Sequence, residues 1–200
     1  LCDEFAGSPI FVYCDGPKQA DSPGVSEARA AAKSVLGSSA TYIESNVNKG
    51  LARSITEGVS HLCKEYGAAI VIEDDLVVGQ GFLSYMNNAL EKYRDESKVM
   101  QVAGYMYPVP DLGTEALFMP FTSTWGWATW QRAWNQYDAQ AEGWGALENN
   151  EDMRRSFNVG DAIDYSAMLK NQMSGKIDSW GILWNWSVFK ASGVVLYPPY

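Results

Sequence analysis

Residues 68–78 read AAIVIEDDLVV, and the fold class follows from how this run is parsed. Ala68 to Ile72 is short, apolar and partly β-branched, as expected of a strand buried on both faces. It runs straight into Glu73-Asp74-Asp75, which sets three carboxylates at the strand's carboxyl tip. Gly67 ends a helix predicted over about Leu51 to Tyr66, on which Leu51, Ile55, Val59, Leu62 and Cys63 share one face. Downstream, a helix over about Gly81 to Arg94 leads to an apolar strand, Val99 to Ala103.

The same alternation extends upstream. Ile10 to Cys14 (IFVYC) predicts a buried strand, and Asp15-Gly16-Pro17 supplies turn chemistry that leaves Asp15 at its tip. Leu1 to Ser8 reads as the frayed end of a helix. Ser22-Pro23 reads as an N-cap and first helical residue ahead of an alanine-rich helix, Val25 to Leu36, closed by Gly37. Ala40 to Ile43 is a second strand, and Asn46 to Gly50 a polar loop. A β-α-β-α-β-α-β order with crossover-length helices implies an α/β, mainly parallel sheet with helices on both faces.

The second half is less regular. It holds a loop at Pro108 to Gly113, a strand at Ala116 to Met119, and an aromatic segment turning into a helix at Ser123 to Trp134 (STWGWATWQRAW). Helices near Asp161 to Gln172 and Trp180 to Lys190 precede a last strand, Val194 to Tyr197. Without repeats or linkers, the 200 residues read as one domain.

Composition narrows the function. With 24 acidic against 15 basic side chains, the chain carries −9, the wrong sign for a nucleic-acid binder, whose phosphate contacts need a basic face. No apolar run approaches the roughly 20 residues that span a bilayer, so the expectation is a cytoplasmic protein, at most peripheral to the membrane. Cys2, Cys14 and Cys63 match no zinc spacing and read as free thiols. His61 sits mid-helix with no ligand partner near in sequence, a surface or core histidine.

In an open α/β sheet, ligands bind outside the carboxyl ends of the strands, where Asp15 and Glu73-Asp74-Asp75 fall by this reading. If the strand geometry continues, Glu73 and Asp75 project to one side and Asp74 to the other. Chance alone gives about 0.3 acidic triplets in such a chain, so position counts for more than composition. Crowded carboxylates repel unless a cation compensates them, and an oxygen-only set with few protein ligands suits Mn²⁺ or Mg²⁺.

Three features together carry a resemblance: AAIVIEDDLVV at residues 68–78, Asp15-Gly16 at an earlier strand tip, and TSTWGWATWQRAW at residues 122–134. In this order and spacing the chain resembles the GT-A-fold (Rossmann-like) nucleotide-sugar glycosyltransferases. Within them it is similar to N-acetylglucosaminyltransferase I and to bacterial family-2-like transferases. The resemblance implies metal-dependent, inverting transfer of a sugar from a nucleotide-sugar, UDP-linked by default, to a carbohydrate or lipid-linked acceptor.

It also implies roles. Asp75 would ligate the Mn²⁺ or Mg²⁺ that bridges the diphosphate, while Glu73 and Asp74 would contact ribose or donor sugar. Asp15 would accept from the base's N–H, and Arg53 would contact base or phosphate. The catalytic base is Asp178, Asp161 or Asp164; Asp178 is placed where related sequences put this function, although a plain N-cap explains the same position. Trp125, Gly126 and Trp127 would line a donor or acceptor pocket, whereas Trp130, Trp134, Trp184 and Trp186 read as core.

The family's first strand would precede Leu1 and its chain would continue past Tyr200, so the resemblance implies a piece of a longer transferase, with its first strand missing. The exposed sheet edge would then favour a dimer or distort the nucleotide site. The competing reading is a catalytically inactive, transferase-like domain that binds carbohydrate or serves as a scaffold. A phosphoryl-transfer site has no GxxxxGK[ST] loop to support it.

Overall fold

The apolar runs do become strands, but the larger sheet is not the parallel one that the alternation predicts. The computed structural model describes residues 7–18, 23–108 and 115–199. The expected helix end at residues 1–6, the Ser22 cap, Cys2 and all of the 108–113 loop but Pro108 lie outside the described residues. The chain divides into two compact units, Leu1–Gly58 and Val59–Tyr200.

In the first unit, β1 (Ile10–Cys14) pairs in parallel with β2 (Ala40–Glu44), from Ile10 opposite Ala40 to Cys14 opposite Glu44. Parallel partners need a long crossover, which α1 (Pro23–Leu36) and a 3-10 turn, Gly37–Ser39, provide. The helix α2 (Leu51–Tyr66) starts in this unit and ends in the second. Its apolar face is as read at Val59 and Cys63, which are buried, but Leu51 is exposed.

The second unit holds β3 (Ala68–Val71), α3 (Phe82–Lys92), β4 (Val99–Ala103), β5 (Leu117–Met119) and β6 (Trp127–Trp130). Four helices follow: α4 (Gln131–Trp134), α5 (Ala146–Asn149), α6 (Glu151–Phe157) and α7 (Tyr165–Met173). The long helix α8 (Trp180–Lys190) and β7 (Val194–Tyr197) end the chain. The strands form one sheet in the order β3-β6-β4-β7-β5. Only β4 and β7 pair in parallel; β3 with β6, β6 with β4, and β5 with β7 are antiparallel. The unit is therefore α/β, with a mostly antiparallel sheet instead of a mainly parallel one.

The cause is β6. This segment, WATW, returns between β3 and β4, so two strands that share a direction are separated by one that opposes both. All four of its residues are buried, which removes the alternation that marks a strand facing water on one side.

Core packing fixes what lies over this sheet. The helix α8 is apolar almost all round, and eight of its residues are buried, as expected of a helix enclosed on several sides. Towards the sheet, the Trp184 indole donates to Gln101 Oε1 at 2.9 Å, two groups buried in β4 and α8. Away from it, Trp186 meets Phe157 edge-on, with ring centroids 5.4 Å apart, in a cluster with Leu147, Leu169, Ile182 and Leu183. As read from sequence, Trp130, Trp134, Trp184 and Trp186 are core. No helix among the described residues is long and apolar enough to cross a membrane.

Candidate active site

Strand register gathers the candidate site in the second unit at one sheet edge. Val71, the last residue of β3, and Ala103, the last of β4, both pair with Trp127, the first residue of β6. The segments that leave β3 and β4, and the segment that enters β6, therefore meet at the same edge. They are Glu73-Asp74-Asp75, Gly104-Tyr105 and Trp125-Gly126. The start of α8 reaches this edge as well. Trp180 stacks on Trp127, with centroids 5.0 Å apart and planes 23° apart, and a Cβ on Gly181 would lie 3.1 Å from Thr124 Cγ2. Asp178 lies two residues before Trp180.

The acidic trio occupies a turn, not extended chain. The Leu76 N–H donates to the Glu73 carbonyl at 3.2 Å, so the expected alternation of Glu73 and Asp75 against Asp74 does not apply. Glu73 is half-buried, while Asp74 and Asp75 are exposed. Burial, followed by the charges of Asp75 and Asp74, lifts the Glu73 carboxyl above its ordinary range. None of the three forms an ion pair among the described residues. The donor set is all oxygen and its charge is uncompensated, which fits a hard cation such as Mg²⁺ or Mn²⁺. No group of three His, Cys, Asp or Glu side chains among the described residues is drawn together as a metal cage. The fit is thus to a cation that takes few protein ligands and completes its shell with other oxygens.

Two glycines make the edge possible. Gly104 donates to the Gly126 carbonyl at 2.7 Å, and a Cβ on Gly104 would lie 2.6 Å from that oxygen and 2.4 Å from Phe82 Cε2. Gly126 has φ of +65°, a conformation that glycine adopts at little cost. The turn there separates its neighbours' fates. Trp125 is 50% exposed, whereas Trp127 is wholly buried between Trp180 and Trp134. Trp127 is core, which corrects its expected place in a pocket lining.

The segment before Trp125 is held by two buried amides that the sequence did not flag. Asn185 Oδ1, from α8, accepts from the Thr122 N–H at 2.9 Å and lies 3.3 Å from its hydroxyl. Gln101 Nε2, from β4, donates to the Ser123 carbonyl. Two exposed tyrosines, Tyr105 and Tyr107, were also missed; both rings lean on Trp125. Their only sequence signal is position, directly after a buried strand. Tyr107 also lies near the phenols of Tyr165 and Tyr197: burial and then Tyr107 raise Tyr165 to about 12, and burial, then Tyr165, then Tyr107 raise Tyr197.

The three candidate bases separate clearly. Asp164 is the N-cap of α7, accepting from the Ala167 N–H at 3.0 Å and the Ser166 hydroxyl at 2.8 Å, and these bonds hold its carboxyl below the usual range. Asp161 lies 3.6 Å from Arg155 Nε on an exposed loop. The cap of α8 is Ser179, which accepts from the Ile182 N–H at 3.4 Å. Asp178 is therefore not a capping group. Its exposed carboxylate takes no hydrogen bond among the described residues, and its charge, after burial, helps push the Tyr137 phenol up to about 12.

In the first unit, Asp15 is already engaged. Its Oδ1 accepts from the N–H groups of Gly16 and Lys49, both at 2.8 Å, and its Oδ2 from that of Gly50 at 2.9 Å. Burial alone would raise this carboxyl, but the three donors outweigh it and hold it below its ordinary value. Asp15 thus fastens the loop at residues 48–50 to the end of β1. Arg29 donates to the carbonyls of Asp15, at 3.0 Å, and Ser45, at 2.6 Å. Arg53 is exposed and paired with Glu57 at 2.6 Å, which Lys49 also reaches at 2.6 Å. In the part of α2 that belongs to the second unit, His61 lies at the surface, 3.0 Å from Glu65, and burial pushes the free Cys63 thiol up to about 12.

No family model matches this chain. A search of curated proteins likewise finds no match.

Proposed function

We propose that the second unit carries the central chemistry of a metal-dependent, inverting glycosyltransferase of the GT-A type, which moves a sugar from a nucleotide-sugar donor to a carbohydrate or lipid-linked acceptor. One observation supports this above all. The pairing of Val71 and Ala103 with a single residue, Trp127, brings three unpaired carboxylates to the same sheet edge as an exposed indole, and Trp180, two residues after the free Asp178, stacks on Trp127.

In this reading Asp75, exposed at the turn, is the residue that would hold Mn²⁺ or Mg²⁺. A cation held there would supply the charge neutralisation that a nucleoside diphosphate needs to become a good leaving group. Glu73 and Asp74 accept hydrogen bonds from hydroxyls of the ribose or the donor sugar. Asp178 takes the proton of the acceptor hydroxyl as that oxygen bonds to the anomeric carbon, while the carbon–oxygen bond to the diphosphate breaks. Attack from the face opposite the leaving group inverts the anomeric centre. Asp15 and Arg53 have no direct part in this account, since the one holds a loop and the other is paired with Glu57.

The test is calorimetry with UDP-, GDP- and dTDP-sugars, with and without Mn²⁺. Heat is expected with at least one donor, lost on chelation and in Asp75→Ala. No heat with any donor in the presence of Mn²⁺ rejects the proposal.

A further inference from the structure

Tyr105, Tyr107 and Trp125 form a cluster of exposed rings that neither the metal-binding turn nor the base uses. They are 36%, 50% and 50% exposed. Tyr105 meets Tyr107 at 5.2 Å between centroids and Trp125 at 4.9 Å, and Tyr107 meets Trp125 at 6.0 Å. We propose that these three rings are a stacking platform for an uncharged saccharide, the acceptor end of the reaction proposed above.

Three observations select that ligand. The rings touch one another, so they enclose no aromatic cage of the kind that recognises quaternary ammonium ligands. Outward faces alone are free, and these suit the C–H face of a pyranose. Next, Glu73, Asp74 and Asp75 share the sheet edge, which disfavours phosphate-bearing or otherwise anionic ligands unless a cation is bound. Finally, the surroundings are polar. Ser123 and Thr124 precede Trp125, and both tyrosines carry hydroxyls, the donors and acceptors that a polyol requires. An aromatic body with a polar rim matches a sugar's two chemistries.

The platform is also built, not fortuitous. Gly104, through its bond to Gly126, ties the residue before Tyr105 to the residue after Trp125. Gln101 and Asn185 fix the backbone that leads into Trp125.

The experiment is calorimetry of the whole chain in EDTA, without nucleotide. The probes are methyl glycosides of glucose, mannose, galactose and N-acetylglucosamine, their β-linked dimers, choline chloride and sodium diphosphate. At least one neutral glycoside is expected to bind, its dimer more tightly. Trp125→Ala should weaken it about tenfold, the scale of one lost ring contact, and Trp125→Phe by less. Tyr107→Ala should weaken it severalfold, and all three variants should melt like the parent because the rings are exposed. Asp75→Ala should bind the glycoside normally, so that loss of nucleotide binding alone leaves this proposal standing. The proposal is overturned if no glycoside binds, if affinity survives both ring deletions, or if choline or diphosphate binds in place of the sugars.

Discussion

Gly104→Ala is the most demanding test of how the site edge is built. The added methyl would sit 2.4 Å from Phe82 Cε2, 2.6 Å from the Gly126 carbonyl oxygen and 2.9 Å from Met86 Cε. Separations below 3.0 Å are not tolerated, so something must move. Phe82 is 8% exposed and Met86 wholly buried, and neither can swing out to solvent. The Gly126 oxygen is backbone, tied to Gly104 itself by a 2.7 Å hydrogen bond. Overpacking a tight interior costs about 1–3 kcal/mol. Breaking the Gly104–Gly126 bond adds about 1 kcal/mol. The expected loss is therefore about 2–4 kcal/mol, measured by urea unfolding with an unchanged slope. Gly79 serves as the control, since a Cβ there meets nothing within 4 Å; Gly79→Ala should stay within about 0.5 kcal/mol of wild type. The same displacement should turn Trp125 and Tyr105 away from each other and weaken saccharide binding. If Gly104→Ala unfolds at the wild-type urea concentration, the close approach that defines this edge does not exist in solution.

Three further outcomes follow from the charged groups. Glu73 has a raised carboxyl pKa in the fold, so the stability it contributes is complete below its ordinary value and is lost as pH rises through the folded one. Glu73→Gln should accordingly melt roughly 1–2 °C above wild type at pH 7, after allowance for solvent screening, and show no advantage near pH 4; a lower melting temperature at pH 7 contradicts the crowding argument. Asp15 has the opposite sign: its lowered pKa gives stability that is present above the ordinary carboxyl value and lost as pH falls through the folded one. Asp15→Asn should cost about 1 kcal/mol at pH 7, after allowance for solvent screening, with faster amide exchange at Lys49 and Gly50, and the gap should close in acid; unchanged exchange at both amides refutes the loop-fastening role. Asp178→Asn should lower transfer by about 10²–10⁴ without shifting the melting curve, because its carboxylate holds no structural hydrogen bond; retained turnover removes it as the base.

What was legible in the sequence was local. Val99–Ala103, Trp180–Lys190 and Val194–Tyr197 have their expected bounds, since each is an apolar run between turn residues. What failed was pairing. The strand Trp127–Trp130 has no alternation to read, and its insertion between β3 and β4 joins Ala68–Val71 to residues some sixty positions away, beyond the range of any local pattern. One hidden strand was enough to convert an expected parallel order into a mostly antiparallel sheet.

The site was half legible for a related reason. That carboxylates follow β3 is written in the sequence, but their directions are set by a turn closed by the Leu76 amide. Trp125 and Trp127, two positions apart, share a face in any extended reading. Gly126, in the left-handed region, reverses the chain between them and sends one ring outward and the other into the core. Asp15 shows the same limit in charge. A carboxylate at a strand tip looks free for a ligand until the partners of Lys49 and Gly50 are counted, and those amides come from a loop more than thirty residues away. Residue type announces which chemistry is available at this edge. Which groups remain unspent is decided by backbone donors and close approaches that only the folded chain supplies. On that criterion Asp75 and Asp178 keep free carboxylates and Trp125 an open face, whereas Asp15, Asp164 and Trp127 are already committed to the fold.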